Sequence, residues 1–203
     1  MKRFAVFVSG NGSNLQAIIE AVKKGTIKAE LALVISNNPK AFALQRAEQA
    51  GIKIMVFDPK NYTNTQSVDR DMVINLKEAK IDFVVLAGYM RILTAFFIKQ
   101  YPDKILNIHP SLLPAFKGID GIKDAYSYGV KIAGVTVHFV NEKVDNGPII
   151  LQEGLKLRRE MTIEELTSRI HRLEHRIYPK AIALYAEGRL KIKGRKVFVL
   201  DKA

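Results

Sequence analysis

The sequence predicts an α/β fold: a doubly wound, mostly parallel sheet with antiparallel strands added in the C-terminal half. Three observations predict it. Short apolar runs bounded by turn residues recur through the first half, and amphipathic stretches at helical spacing separate them. Those runs are apolar at successive positions, as in strands whose two faces are both covered by helices. In the second half, two strand-like runs are joined by a loop too short for a parallel crossover, which implies a hairpin.

Residues 3–9 form the first apolar run, rich in β-favouring side chains. Gly10-Asn11-Gly12-Ser13-Asn14 follows, and residues 15–23 repeat apolar side chains at helical spacing. A strand, a glycine-rich turn and a helix start form a natural anion site, because free N–H groups gather at the helix N-terminus. Ser13 or Asn14 is the expected cap. The turn lacks the third glycine of a dinucleotide fingerprint, since position 15 is Leu. The next strand (residues 30–35) ends in Ser36-Asn37-Asn38-Pro39, with no acid to hold a ribose. The motif therefore points to a phosphate monoester rather than NAD.

The alternation continues with a helix over residues 42–50, closed by Gly51, a strand over 53–57 and a polar loop over 58–64. A helix over 66–79 carries Val68, Met72, Val73 and Leu76 on one face. Residues 83–86 are a fully apolar strand, followed by Gly88-Tyr89-Met90-Arg91, a short helix over 94–100 and a strand over 105–109. Asn107 and His109 point to the same face of that strand, and Pro110 must end it. Right-handed crossovers would place residues 10–14, 88–93 and 107–114 along one sheet edge, where ligands bind in open α/β sheets.

Beyond it lie a glycine-rich loop (116–121), a short helix (123–128), a strand (134–140), a polar loop (141–148) and a strand (149–157). Thr162-Ile163-Glu164-Glu165 reads as a capping box opening a helix to about residue 186, and a hairpin turning at Gly194-Arg195 ends the chain. A single domain over residues 1–203 is expected, with a Rossmann-like nucleotide-phosphate half (1–110) and a loop, helix and hairpin half (111–203).

Composition narrows the function. No cysteine is present, which excludes disulfides, thiol nucleophiles and Cys-ligated zinc. No apolar run spans a membrane, and the run after Met1-Lys2-Arg3 ends at Ser9 without a cleavage site, so a cytoplasmic protein is expected. The net charge of +12 favours anionic partners. Basic residues are spread along the chain, with a modest cluster at 189–196 and no aromatic–basic stripe, so phosphorylated small molecules are expected rather than nucleic acid.

Asn107 and His109 call for a third group, since a catalytic His is often oriented by a carboxylate. Asp145, in the loop before the 149–157 strand, has the best placement, although an Asp in an Asn/Gly turn also serves turn geometry. His171-Arg172-Leu173-Glu174-His175 matches an inverted zinc-peptidase pattern, but it lacks a third ligand and reads as a charged helix face. No metal is expected. His138, within an apolar strand, reads as a satisfied core or edge histidine.

Taken together, the motifs resemble the phosphoribosylglycinamide formyltransferase family, the folate-dependent GAR transformylases. They are Ser9-Gly10-Asn11-Gly12-Ser13-Asn14-Leu15-Gln16, Val85-Leu86-Ala87-Gly88-Tyr89-Met90-Arg91-Ile92-Leu93, Leu106-Asn107-Ile108-His109-Pro110-Ser111-Leu112-Leu113-Pro114, Gly134-Val135-Thr136-Val137-His138, Asp145-Asn146-Gly147-Pro148-Ile149-Ile150 and Glu174-His175-Arg176-Ile177-Tyr178-Pro179. The resemblance implies the formyltransferase fold and a formyl transfer from 10-formyltetrahydrofolate, as co-substrate, to phosphoribosylglycinamide. It implies that Gly12, Ser13 and Asn14 hold the nucleotide phosphate and that Glu174 meets the same substrate. Met90, Arg91, Ile92, Leu93, Val140 and Asn141, with Asn107 and Asp145, would line the folate pocket. Asn107, His109 and Asp145 would be catalytic. The chain departs from the family at Thr65, where some members place Arg, and at Asp120, where many have His. A formyltetrahydrofolate hydrolase or a tRNA formyltransferase-like protein shares the Asn–His–Asp set and remains the alternative. A monomer or homodimer acting on small molecules is expected.

Overall fold

The computed structural model describes residues 1–201; the last two residues of the expected domain lie outside them. The chain runs β1 (Arg3–Val8), α1 (Ser13–Lys23), β2 (Glu30–Ser36), α2 (Phe42–Gln49), β3 (Ile54–Val56), α3 (Thr65–Glu78), β4 (Phe83–Leu86), α4 (Ala95–Gln100) and β5 (Ile105–His109). It continues through α5 (Gly121–Tyr128), β6 (Ile132–Phe139), β7 (Ile149–Lys156), α6 (Ile163–Ala186), β8 (Leu190–Lys193) and β9 (Lys196–Val199). One sheet holds all these strands in the order β3-β2-β1-β4-β5-β6-β7-β9-β8. The stretch from β3 to β5 is parallel, and β6 lies antiparallel to both β5 and β7. The terminal hairpin joins through a parallel pairing of Ile149 with Lys196.

Strand β1 shows why the sheet is covered on both faces. Phe4, Val6 and Val8 enter a core shared with α1, α2 and α6, whereas Ala5 and Phe7 enter a second core with α3 and α4. All five are fully buried, so the continuous apolar run is one strand feeding two layers. Tyr178 of α6 is also fully buried and donates to the carbonyls of Leu86 (2.7 Å) and Leu106 (3.1 Å). A phenol on the long helix thereby ties β4 to β5 beside Asn107. No helix among the described residues is long and apolar enough to cross a membrane.

Several local expectations are corrected. Neither Ser13 nor Asn14 caps α1: both lie inside it, and Gly12 is the N-cap at φ 76°, with no side-chain cap. Only glycine fits there, because a Cβ would meet the Ala43 Cβ at 2.6 Å in addition to the left-handed backbone. The capping box on α6 is half formed. Thr162 Oγ1 accepts from Glu165 N, but the Glu165 carboxylate pairs with Arg158 instead of turning back. The loop before α3 contains a short 3-10 turn, Pro59–Asn61, and the true capping box there is Asn64 with Ser67. Helix α5 and strand β6 each start two residues earlier than expected, and β3 is shorter.

Candidate active site

The C-terminal ends of β1, β4 and β5 lie side by side, with Leu86 in register with Asn107. This gathers the three segments expected at one edge. Strand β5 ends at His109, where Pro110 removes the next donor. Across the antiparallel β5–β6 pair, Asn107 faces His138 and His109 faces Thr136, so four polar side chains share one patch. Thr136 is fully buried and organises the chain after the strand. Its hydroxyl donates to Ser111 O (2.7 Å) and accepts from Leu113 N (3.1 Å) and Gln152 Nε2 (2.9 Å).

The Asp145 carboxylate sits between two imidazoles. Its Oδ2 lies 3.4 Å from His109 Nδ1, and its Oδ1 lies 3.7 Å from His138 Nε2. Gly118 N donates to the same Oδ2 at 2.9 Å. Burial pushes the Asp145 carboxyl up, but His138, the Gly118 N–H and the nearby His109 together hold it below its ordinary value. The other side of His109 is also engaged: Nε2 donates to Phe116 O at 2.7 Å. His138 Nδ1 lies 2.7 Å from its neighbour's carbonyl at Phe139. A carbonyl only accepts, so Nδ1 donates there, and Nε2 lies 3.2 Å from the Asn107 amide nitrogen. The amide of Asn107 is thus turned with its nitrogen towards His138, and a second N–H remains for a ligand.

The structure brings Asn107, His109 and Asp145 to one patch, and His138, expected as a satisfied core or edge histidine, is buried and partnered at both ring nitrogens beside them. The signal was present in the hairpin reading: once β6 runs antiparallel to β5, residue 138 falls opposite residue 107 and shares its face.

At the glycine-rich turn, Asn14 Nδ2 donates to Glu174 Oε2 at 3.0 Å, which joins α1 to α6. Asn14 Oδ1 is buried and has no partner among the described residues, so an acceptor waits beside the N–H groups of residues 12–14. Glu174 is buried, and that burial pushes its carboxyl up to about 7, against the lowering effect of the Asn14 bond. This carboxyl is raised in the folded state above its ordinary 4.5, so its contribution to stability is complete below that value and is lost as pH rises through about 7. The loss expected by pH 9 is about 3 kcal/mol. A Glu174→Gln variant, which keeps an acceptor for Asn14 and cannot ionise, should lose this dependence. Urea unfolding between pH 5 and 9 checks it: equal pH slopes for parent and variant would remove Glu174 as the source.

The segment at 90–93 divides its side chains. Met90 and Ile92 are 68% and 71% exposed, while Leu93 is buried in the core and has only its backbone to offer. Arg91 pairs with the fully buried Asp69, which also accepts from Thr94 N (2.7 Å) and Thr94 Oγ1 (2.6 Å). Asp69 was not among the expected site residues, yet it fixes both ends of this segment. Asn141 Nδ2 donates to Asn146 O at 3.4 Å, and Val140 packs partly buried on the core, so both border the Asp145 loop. The rings of His171 and His175 stand 6.5 Å apart on α6. Among the described residues no group of three or more His, Cys, Asp or Glu gathers as a metal set.

Known proteins share this arrangement of chain. Residues 2–182 match the formyl transferase family. A phosphoribosylglycinamide formyltransferase of Bacillus subtilis is 44% identical over 90% of this chain and 93% of its own. One from Haemophilus influenzae is 45% identical over 100% of this chain and 96% of its own. The crystal structure of glycinamide ribonucleotide transformylase 1 from Symbiobacterium toebii superposes with a TM-score of 0.96 at 47% identity, covering 99% of this chain and 95% of that one. The chain belongs to the formyl transferase family, and within it to the phosphoribosylglycinamide formyltransferases.

Proposed function

We propose that the enzyme transfers a formyl group from 10-formyltetrahydrofolate to the amine of 5-phosphoribosylglycinamide, with Asn107, His109 and Asp145 as the reacting set. The observation that carries this reading is the meeting of those three side chains at the sheet edge. The nucleotide phosphate would take the N–H groups at Gly12, Ser13 and Asn14, and Glu174 would meet the same substrate near its ribose and glycinamide. The exposed apolar side chains of Met90 and Ile92, with Arg91, the Leu93 backbone, Val140 and Asn141, would receive the folate.

In the transfer, the neutral amine adds to the formyl carbon and negative charge develops on the formyl oxygen. The free N–H of Asn107 and His109 Nε2 donate to that oxygen, which replaces the Phe116 carbonyl as the acceptor at Nε2. Asp145 holds His109 from the Nδ1 side and balances its positive charge. The amine proton passes by way of Asp145 and water to the leaving nitrogen, whose bond to the formyl carbon breaks as the oxyanion collapses back to a carbonyl. Thr65 and Asp120 bear on ligand affinity more than on this chemistry.

The test is a steady-state assay with both substrates, following the folate product, with a control lacking the nucleotide. Nucleotide-dependent product is expected. Product without nucleotide would replace this reading with the hydrolase, and transfer to tRNA alone would replace the acceptor.

A further inference from the structure

We propose that Arg195, at the tip of the terminal hairpin, is a positioning residue for formyl transfer: it grips the backbone at Asn146 and so holds the Asp145 carboxylate against His109. The proposal rests on the reading of Asp145 as part of the reacting set. Arg195 Nη2 donates to Asn146 O at 3.1 Å, one residue beyond Asp145. The other anchors on Asn146 are longer: Asn141 Nδ2 reaches the same carbonyl at 3.4 Å, and Lys117 Nζ reaches its Oδ1 at 3.2 Å.

The loop needs such an anchor. Asp145 sits in the left-handed region at φ 47°, which Asp tolerates better than most residues but which still depends on its neighbours for support. The separation of Asp145 Oδ2 from His109 Nδ1 is already 3.4 Å, so a small shift breaks the pairing. The hairpin is built to deliver the guanidinium there. Lys196 pairs with Ile149 at the start of β7, directly after the Asp145 loop. Lys193 pairs with Lys196, which leaves Gly194 and Arg195 as a two-residue turn. Gly194 at φ 59° takes the first central position, as a II′ turn requires, and this fixes Arg195 beside Asn146. The cluster of positive charge at the C-terminus thus has one member with a site-directed contact.

Arg195 is exposed and an exposed contact contributes little to stability, so a structural role and a positioning role predict different results. Arg195→Ala should lower kcat about tenfold, since a small misplacement near the reacting groups has effects of that order. KM for both substrates and the melting temperature should stay unchanged. Arg195→Lys, which keeps a donor, should recover part of kcat. In an Asp145→Asn background, Arg195→Ala should add no further loss, because the carboxylate it positions is gone. Full kcat in Arg195→Ala, or a loss that adds fully to that of Asp145→Asn, would overturn the proposal. An Asp145→Asn enzyme of undiminished kcat would overturn instead the reading beneath it, and that single variant separates the two failures.

Discussion

His109→Ala should lower turnover at least 100-fold while the protein stays folded. Two contacts leave with the ring: the Nε2 bond to Phe116 O and the Nδ1 approach to Asp145. Neither ties core elements together, and the core on both sheet faces is made by other side chains. The catalytic loss has a different origin. A donor aimed at developing oxyanion charge in a water-poor site is worth about 3 kcal/mol of barrier, or about two orders of magnitude in rate. His109 is 4% exposed, so water has little access to replace it. The check is kcat and the melting curve on one preparation. Turnover near that of the parent would remove His109 from the mechanism, whereas a collapsed melting curve would make the rate uninformative and call for His109→Gln.

Gly147→Ala should be the most damaging single methyl in the molecule. A Cβ at this position would lie 1.6 Å from the Phe139 carbonyl oxygen and 2.7 Å from its carbon. Those atoms are backbone of β6, and Phe139 N donates to Pro148 O at 2.9 Å just beside them. Relief therefore requires opening the β6–β7 connection, at the place where the strand register already shifts between Val137 and His138. Overpacking of this kind costs about 3 kcal/mol. Because Asp145 and Asn146 precede the glycine, turnover should fall by at least about 100-fold as well. Chemical denaturation measures the first effect and steady-state kinetics the second. Gly10→Ala is the stability control, since a Cβ there meets nothing within 4 Å. Equal stability in the two variants would discard the steric account.

The residues that were legible in the sequence have local signatures. Apolar runs showed the strands because their burial on both faces leaves no polar alternation, as in β1 and β4. Asn107 and His109 were legible because a strand fixes the faces of its side chains and Pro110 fixes its end. The antiparallel β6–β7 pair followed from loop length. His138, Asp69 and Tyr178 were not legible as site-shaping groups, because each works through a partner distant in sequence. His138 needed the register of β5 against β6, Asp69 needed α3 packed beside Thr94, and Tyr178 needed α6 laid across β4 and β5. The Gly12 cap was missed for a different reason: polar residues are preferred helix caps, but here the close approach of Ala43 decided the position.

The contact between Asn14 and Glu174 spans 160 residues, and Lys2 Nζ reaches the Tyr185 carbonyl across 183. The first and last thirds of the chain are therefore joined, and the Asn14–Glu174 contact lies at the glycine-rich turn. A ribosome releases the chain from the N-terminus, so β1 to β5 can associate while α6 is still unmade. The Asn14–Glu174 contact forms only after the long helix emerges and docks. With the nucleotide held as proposed by the glycine-rich turn and Glu174, nascent chains halted before α6 should lack affinity for it, and ligand capture should mark the arrival of that helix.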